Sequence, residues 1–153
     1  MRNLLTGVAA GAAGTTVLNA VTYLDMATRA GPASTTPEDT VRKAQELTGV
    51  SLGSSDDDAA IRRSALGALL GIAAGLTTGA VYGLLRPRLR RVPLVVLGVG
   101  TGLAANVGTT GPMGALGVTD PRTWPAESWL SDLVPHLAYG LATAVTYDLL
   151  RGR

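Results

Sequence analysis

A run of 22 residues without a charged side chain, Ser64 to Leu85, constrains the fold more than any other feature of the sequence. An α-helix rises about 1.5 Å per residue, so about 20 apolar residues cross the ~30 Å hydrocarbon core of a bilayer. Three further apolar blocks of similar length occupy residues 4–27, 92–111 and 130–150. We therefore predict an all-α polytopic membrane protein, a single membrane domain over residues 1–153 that forms a bundle of four transmembrane helices.

The composition supports a membrane environment. Hydrophobic residues make up 46% of the chain and charged residues only 16%, whereas soluble domains usually carry about 25% charged residues. The absence of cysteine excludes a disulfide-stabilised scaffold. The basic residues lack the interleaved aromatics of a nucleic-acid-binding surface. The expected partners are the lipid bilayer and other membrane proteins or further copies of the chain, and not nucleic acid.

The polar segment 28–63 separates the first two apolar blocks, and its sequence predicts one short helix. Thr36 is followed by Pro37 and Asp39, the pattern of a capping hydroxyl, a proline in the first turn and an acid that returns a hydrogen bond. We expect this helix to begin after Thr36 as its cap and to end before Gly49. The polar loop is therefore predicted to be partly helical.

A second helix start is predicted at Ser54 and Ser55. Asp56, Asp57 and Asp58 follow, and three carboxylates in a first turn stabilise the positive end of the helix dipole. They lack the alternating spacing and the distal glutamate of a calcium-binding loop. We therefore expect a helix terminus here and not a metal site.

Orientation is indicated by the short turn 86–91, in which four of six residues are arginine. Short loops rich in lysine and arginine stay in the cytoplasm. This predicts a protein of the bacterial plasma (inner) membrane with both termini cytoplasmic. Trp124 and Trp129 lie in the opposite short loop, where tryptophan commonly anchors the membrane interface.

The second apolar block carries five glycines at an unbroken spacing of four, which predicts close helix packing. In lipid, small residues at this spacing let two helix backbones approach each other. Each step of four residues advances about 400° around the helix, so the stripe drifts by about 40° per step and can contact two neighbours. A glycine-lined pore formed by several copies is the alternative. The stripe consists of Gly67, Gly71, Gly75, Gly79 and Gly83, and its expected partners are Gly7, Gly11, Gly14 and Gly140.

The last block holds ionisable residues on one helix face. Asp132, His136 and Asp148 share a row of i, i+4 positions, and ionisable groups within a span are costly enough to suggest a proton or cation path. The alternative is structural: if Ser131 or Asp132 caps the helix, Pro135 lies in its first turn and His136 lies near the outer interface.

A partner for His136 is available in the first block. Asp25, near the outer end of that block, is expected to pair with His136 and to lower the cost of holding both groups there. The candidate polar cluster is therefore Asp25, Asp132 and His136. Asn106 and Thr109 in the third block are expected to form hydrogen bonds between helices.

The sequence offers no catalytic set. It has one histidine, no cysteine, and neither an H-E-x-x-H pattern nor a G-x-S-x-G elbow. A hydrolase, zinc or haem site is therefore not expected, and we predict no metal, no cofactor and no enzymatic activity.

Several segments carry a resemblance to a known kind of protein. They are a glycine-rich first helix, ALGALLG at 65–71, VYGLLR at 81–86 and HLAYG at 136–140. Together they resemble the uncharacterised small four-helix bacterial inner-membrane proteins of the YagU-like kind. The resemblance spans most of the chain and implies a plasma-membrane helix bundle, without implying an activity.

Two functions are consistent with these features. The first is a non-enzymatic scaffold or accessory subunit that packs through glycine-rich helix faces. The alternative is a small transport or conductance protein for protons, cations or a small solute that uses the intramembrane aspartate and histidine side chains. A polar cavity joining those side chains would favour transport, whereas a dry and fully packed interior would favour the scaffold.

Overall fold

The computed structural model describes residues 1–31 and 34–152, and within these ranges it contains helices and no strand. The predicted all-α fold is thereby confirmed. Part of the polar loop, residues 32–33, and Arg153 lie outside the described residues. The five helices are α1 (Arg2–Arg29), α2 (Thr36–Thr48), α3 (Asp56–Leu85), α4 (Leu94–Ala115) and α5 (Ala126–Leu150), with single 3₁₀ turns at Arg86–Arg88 and Pro121–Thr123.

Three of these helices are long and apolar enough to span a membrane. They are α1, α3 with the 3₁₀ turn that extends it, and α4. The fourth predicted span, 130–150, falls within α5, which has 25 residues. This helix is less apolar because it carries Glu127, Asp132, His136 and Asp148.

The long helices lie side by side in the order α3, α1, α5, α4. Helix α1 packs against α3 on one side and α5 on the other, and α5 packs against α4. Helices α3 and α4 are consecutive in the chain but touch little. Packed neighbours run antiparallel: Gly7 of α1 lies beside Gly83 of α3, and Gly11 lies beside Gly75.

The buried core is small. It contains Ala10 of α1, Tyr82 of α3, Leu97 of α4, and Ala144 and Tyr147 of α5. Most of the large leucine and valine side chains on the long helices point away from the protein and are exposed. In water such a surface would be unfavourable at about 25 cal/mol per Å², so the outer surface suits a lipid environment.

The polar segment folds much as predicted. Helix α2 ends at Thr48 before Gly49, whose φ of +70° is the left-handed conformation of a glycine helix end. The predicted cap is wrong by one residue: Thr35 precedes the helix, and its hydroxyl donates to the Asp39 carboxylate at 3.0 Å. Helix α2 then packs on α3, with Val41 buried and Pro37 against Gly67.

The second predicted helix start is confirmed. Ser55 caps α3 by accepting a hydrogen bond from the Asp58 backbone N–H at 3.2 Å. The helix therefore begins eight residues before the apolar block at Ser64 and continues through it without interruption. An acidic first turn, followed by Arg62 and Arg63, extends the helix beyond its apolar part.

Two proline predictions are wrong. The third apolar block, predicted to end at residue 111 because Pro112 follows, continues as α4 to Ala115, and the helix stops before Gly117, where φ is +70°. A proline so near the end of a helix forfeits only one backbone hydrogen bond, and one further turn remains favourable. Pro135 does not lie in the first turn of α5, because that helix begins at Ala126 after Pro125. Ser131 and Asp132 are therefore interior residues and not caps.

Candidate functional site

Asp132 and His136 form a polar pair on adjacent turns of α5. The Nδ1 atom of His136 lies 2.7 Å from the Asp132 backbone oxygen and 3.5 Å from its carboxylate Oδ1. The side chains are 16% and 25% exposed for His136 and Asp132 respectively. When Nδ1 donates its hydrogen to these oxygens, Nε2 retains its lone pair and can accept a proton.

Helix α4 contributes a third polar side chain, which contacts Asp132. Asn106, which is buried, donates a hydrogen bond from Nδ2 to the Asp132 carboxylate Oδ2. The interhelical hydrogen bond predicted for Asn106 is thus present. Thr109 instead donates to the Ala105 backbone oxygen within its own helix at 3.0 Å, so the interhelical bond predicted for it is not.

Asp25 belongs to a different cluster, where the C-terminal end of α1 meets the N-terminal end of α5. Its carboxylate accepts a hydrogen bond from Arg29, and Arg29 also contacts Glu127 Oε1 at 2.9 Å and the Ser131 hydroxyl. The predicted pairing of Asp25 with His136 is wrong among the described residues, because Asp25 pairs with Arg29 four residues later in α1 and His136 with Asp132.

A third polar cluster lies at the opposite end of α5 and was missed in the sequence. Arg86 forms two hydrogen bonds with Asp148, from Nε at 3.0 Å and from Nη2 at 2.6 Å. The side chains of Arg86 and Asp148 are only 8% and 13% exposed, respectively. An aspartate in an apolar helix needs a charged or hydrogen-bonding partner. The position of Asp148 in such a helix therefore indicates that a partner exists. The partner is 62 residues away and was not identifiable from spacing.

Two tyrosines of α5 reach the backbone of α3. Tyr139 donates from its hydroxyl to the Gly75 backbone oxygen at 2.7 Å, and Tyr147 donates to the Gly83 oxygen at 3.3 Å. Tyr147 also meets Tyr82 edge to face, with ring centroids 5.4 Å apart. Because these rings pass beside α1, they connect α5 to α3 although the two backbones hardly touch.

The glycines of the stripe have different surroundings. A Cβ atom at Gly79 would lie 2.5 Å from the Gly11 Cα, and one at Gly83 would lie 2.8 Å from the Gly7 Cα. Gly75 faces Thr15 and Tyr139, and Gly67 faces Pro37 of α2. Gly71 is exposed, and a Cβ there would meet nothing within 4 Å.

The other predicted partners divide between two helix contacts. Gly14 of α1 faces Thr143 and Tyr139 of α5. Gly140 does not face α3: a Cβ there would lie 2.7 Å from the Gly102 Cα of α4, close also to the Gly98 backbone oxygen. The expected partnership of Gly140 with the stripe is therefore wrong, and Gly140 belongs to the contact between α4 and α5.

The described residues form shallow cavities at the surface. One, of about 220 Å³, is lined by four charged residues of α2 (Asp39, Arg42, Lys43, Glu46) and by Gly117 and Val118. Another, of about 370 Å³, lies at the turn 87–92. Neither is lined by Asp25, Asp132 or His136. Within residues 1–31 and 34–152 no group of three or more potential metal ligands occurs together.

Comparison with known proteins gives no further assignment. No family model matches the chain, and no characterised protein or solved structure is detectably similar to it. The resemblance to YagU-like proteins thus depends on the sequence segments alone.

Proposed function

We propose that this chain is a non-enzymatic integral membrane protein that acts as a scaffold or accessory subunit. In this proposal α1, α3, α4 and α5 span the bacterial plasma membrane as a bundle, with both termini in the cytoplasm. Other helices, from further copies or from other membrane proteins, bind to its glycine-bearing faces. Its similarity in sequence pattern to YagU-like proteins is consistent with this location.

The position of α5 supports a fourth span. It lies antiparallel between α1 and α4, both long and apolar enough to cross a membrane, and its 25 residues extend about 37 Å. Its acidic groups are paired: Glu127 with Arg29, Asp132 with His136, and Asp148 with Arg86. Pairing lowers the cost of ionisable groups at membrane depth.

The observation that carries the scaffold function is a set of open glycines on helices suited to lipid. In α4, a Cβ at Gly100, Gly108 or Gly111 would meet nothing within 4 Å, and the same holds for Gly71 of α3. Glycine in a helix interior is less favourable than alanine by about 1 kcal/mol. Within a membrane that cost is offset where another helix packs closely against the glycine.

The test is the oligomeric state of the purified chain in a mild detergent, measured by native mass spectrometry. We expect the parent chain to associate with a second copy or a co-purified subunit. Gly108→Leu should reduce that association at least tenfold, because the leucine fills the open face. Val99→Phe adds bulk at an exposed position on the same helix, about 180° from Gly108 and about 100° or more from the other two open glycines, and should leave association unchanged. A monomeric parent chain without any bound protein would refute the scaffold.

Orientation has a separate test. The arginine-rich turn supports a cytoplasmic location for residues 86–91, and the chain contains no cysteine. We expect a single cysteine at Ser54 to react with an impermeant thiol reagent on intact cells, and one at Leu89 to react only after the membrane is permeabilised. The reverse labelling pattern would invert the topology.

A second candidate function is proton or cation transport, and the Asp132–His136 pair favours it. Proteoliposomes containing the parent chain would then show proton or cation flux, and Asp132→Asn and His136→Gln would abolish it while remaining folded. Flux no greater than in empty liposomes would remove this candidate. The pair would then be a structural link between α4 and α5.

A further inference from the structure

The turn that joins α3 to α4, residues 86–93, combines a cavity with a concentration of positive charge. We call it the basic turn. Its cavity has a volume of about 370 Å³ and is lined by Arg88, Arg90 and Arg91 together with Pro87, Leu89 and Val92. The cavity is an open depression at the surface of the turn and not an enclosed pocket.

The arginines around this cavity differ from Arg86, which is buried and paired with Asp148. In the part of the chain that the structure describes, no carboxylate lies within 4.0 Å of the other three guanidinium groups. Two of them donate hydrogen bonds to nearby backbone oxygens. Arg88 Nη1 donates to the Leu84 backbone oxygen and Arg90 Nε to the Pro87 backbone oxygen, both at 3.1 Å. Three positive charges therefore face the cavity without a carboxylate partner among residues 1–31 and 34–152.

The surroundings of the basic turn are apolar. Leu85 is the last residue of α3, and Val95 and Val96 lie in the first turn of α4. All three side chains are exposed. Both helices are long and apolar enough to span a membrane. When they do, the basic turn lies at a membrane surface, with the arginines at headgroup depth and the apolar side chains beside the acyl chains.

We propose that the basic turn binds an anionic phospholipid, with the phosphate held by Arg88, Arg90 and Arg91. Guanidinium groups bind phosphate through paired hydrogen bonds, and basic pockets at helix ends bind acidic lipid headgroups. The exposed valines favour a lipid over a soluble phosphate, because they provide a surface for its acyl chains. This inference rests on α3 and α4 spanning the membrane and is independent of the scaffold function.

The test uses the full-length chain in neutral detergent and measures bound lipid by native mass spectrometry. Phosphatidylglycerol is titrated against phosphatidylcholine of identical acyl chains. Each basic residue near an anionic surface contributes roughly fivefold in affinity. We therefore expect R88Q/R90Q/R91Q to bind phosphatidylglycerol about a hundredfold more weakly than the parent chain does, and the parent preference to decrease with salt.

A matched control removes the same number of charges elsewhere. R2Q/R62Q/R122Q lowers the net charge equally at exposed positions outside the basic turn and should keep the lipid preference. Circular dichroism of each variant establishes that its helices persist. If the triple variant does not fold, the single variant R90Q replaces it and is expected to weaken binding about fivefold.

Three results would overturn the inference. They are equal affinity of the parent chain for the two lipids, an equal loss of affinity in the control variant, and complete competition by glycerol 3-phosphate, which would assign the site to a soluble phosphate. Carbonate extraction of membranes separates this inference from the proposed function. A chain that resists extraction but shows no lipid preference refutes the lipid site alone, whereas a chain released by carbonate refutes the spanning helices.

Discussion

Gly79 and Gly71 lie on the same helix, eight residues apart in the same regular pattern, yet they meet opposite environments. At Gly79 the backbone of α1 is so close that a Cβ would lie 2.5 Å from the Gly11 Cα, whereas at Gly71 it would meet open space. The helix has few contacts with α4, which leaves this part of it without a neighbour. Glycines at a regular spacing thus indicate a helix face that can pack closely against another helix. Only the arrangement of the neighbouring helices shows which of these glycines are packed against a helix of the same chain.

The largest effect is expected at the occupied end of the stripe. Gly79→Leu places a side chain against the α1 backbone, which cannot move aside without separating the two helices. Overpacking of this kind costs about 1–3 kcal/mol and occasionally more, and we expect a loss of about 3 kcal/mol in the free energy of unfolding. Reversible unfolding in mixed detergent micelles measures it. A loss below about 0.5 kcal/mol would show that α1 and α3 are not in close contact here.

A smaller effect is expected where glycine makes room for a tyrosine. Tyr139 is buried beside Gly14 and Gly75 and donates to the Gly75 backbone oxygen at 2.7 Å. Tyr139→Phe keeps the ring and removes the hydrogen bond, so the free energy of unfolding should decrease by about 1 kcal/mol. Tyr23→Phe, on an exposed ring of α1, is the control and should change nothing. Equal values for both variants would mean that the bond does not stabilise the bundle.

The smallest effect is expected at the open end of the stripe. A Cβ atom at Gly71 would meet no other atom within 4 Å, so Gly71→Leu extends from the backbone into open space, and leucine has the better helix propensity by up to about 1 kcal/mol. The isolated chain should therefore unfold at the same temperature as the parent or slightly higher. If Gly71→Leu destabilises the monomer as strongly as Gly79→Leu, the contrast between occupied and open glycines does not hold.

Local features of the fold were predictable because local chemistry determines them. The Ser55 cap, the glycine end of α2 at Gly49 and the long apolar helices all follow from residues within a few positions of each other. The prolines were less informative, because a proline stops a helix only when the lost backbone bond and the ring contact are not offset. At Pro112 and Pro135 the helices continue.

The candidate site was predictable only in part. Asp132 and His136 are one turn apart, so their pairing follows from helix geometry. The interaction of Asp148 with Arg86 and the placement of Gly140 against α4 depend on which helices are neighbours. In a chain whose long helices are rich in small residues and leucine, many neighbour arrangements bury similar faces, and the sequence pattern alone does not distinguish among them.

The central claim is that the open glycine face of α4 is covered by another helix in the membrane. Single cysteines placed in this cysteine-free chain test it directly, by crosslinking in native membranes and by reaction with a membrane-permeant thiol reagent. We expect a cysteine at Gly108 to form a crosslinked species and to react slowly, and a cysteine at the exposed Val99, about 180° around the same helix, to react quickly without crosslinking. Equal, rapid reaction at both positions with no crosslinked species would show that lipid alone covers the glycine face, and would contradict the account.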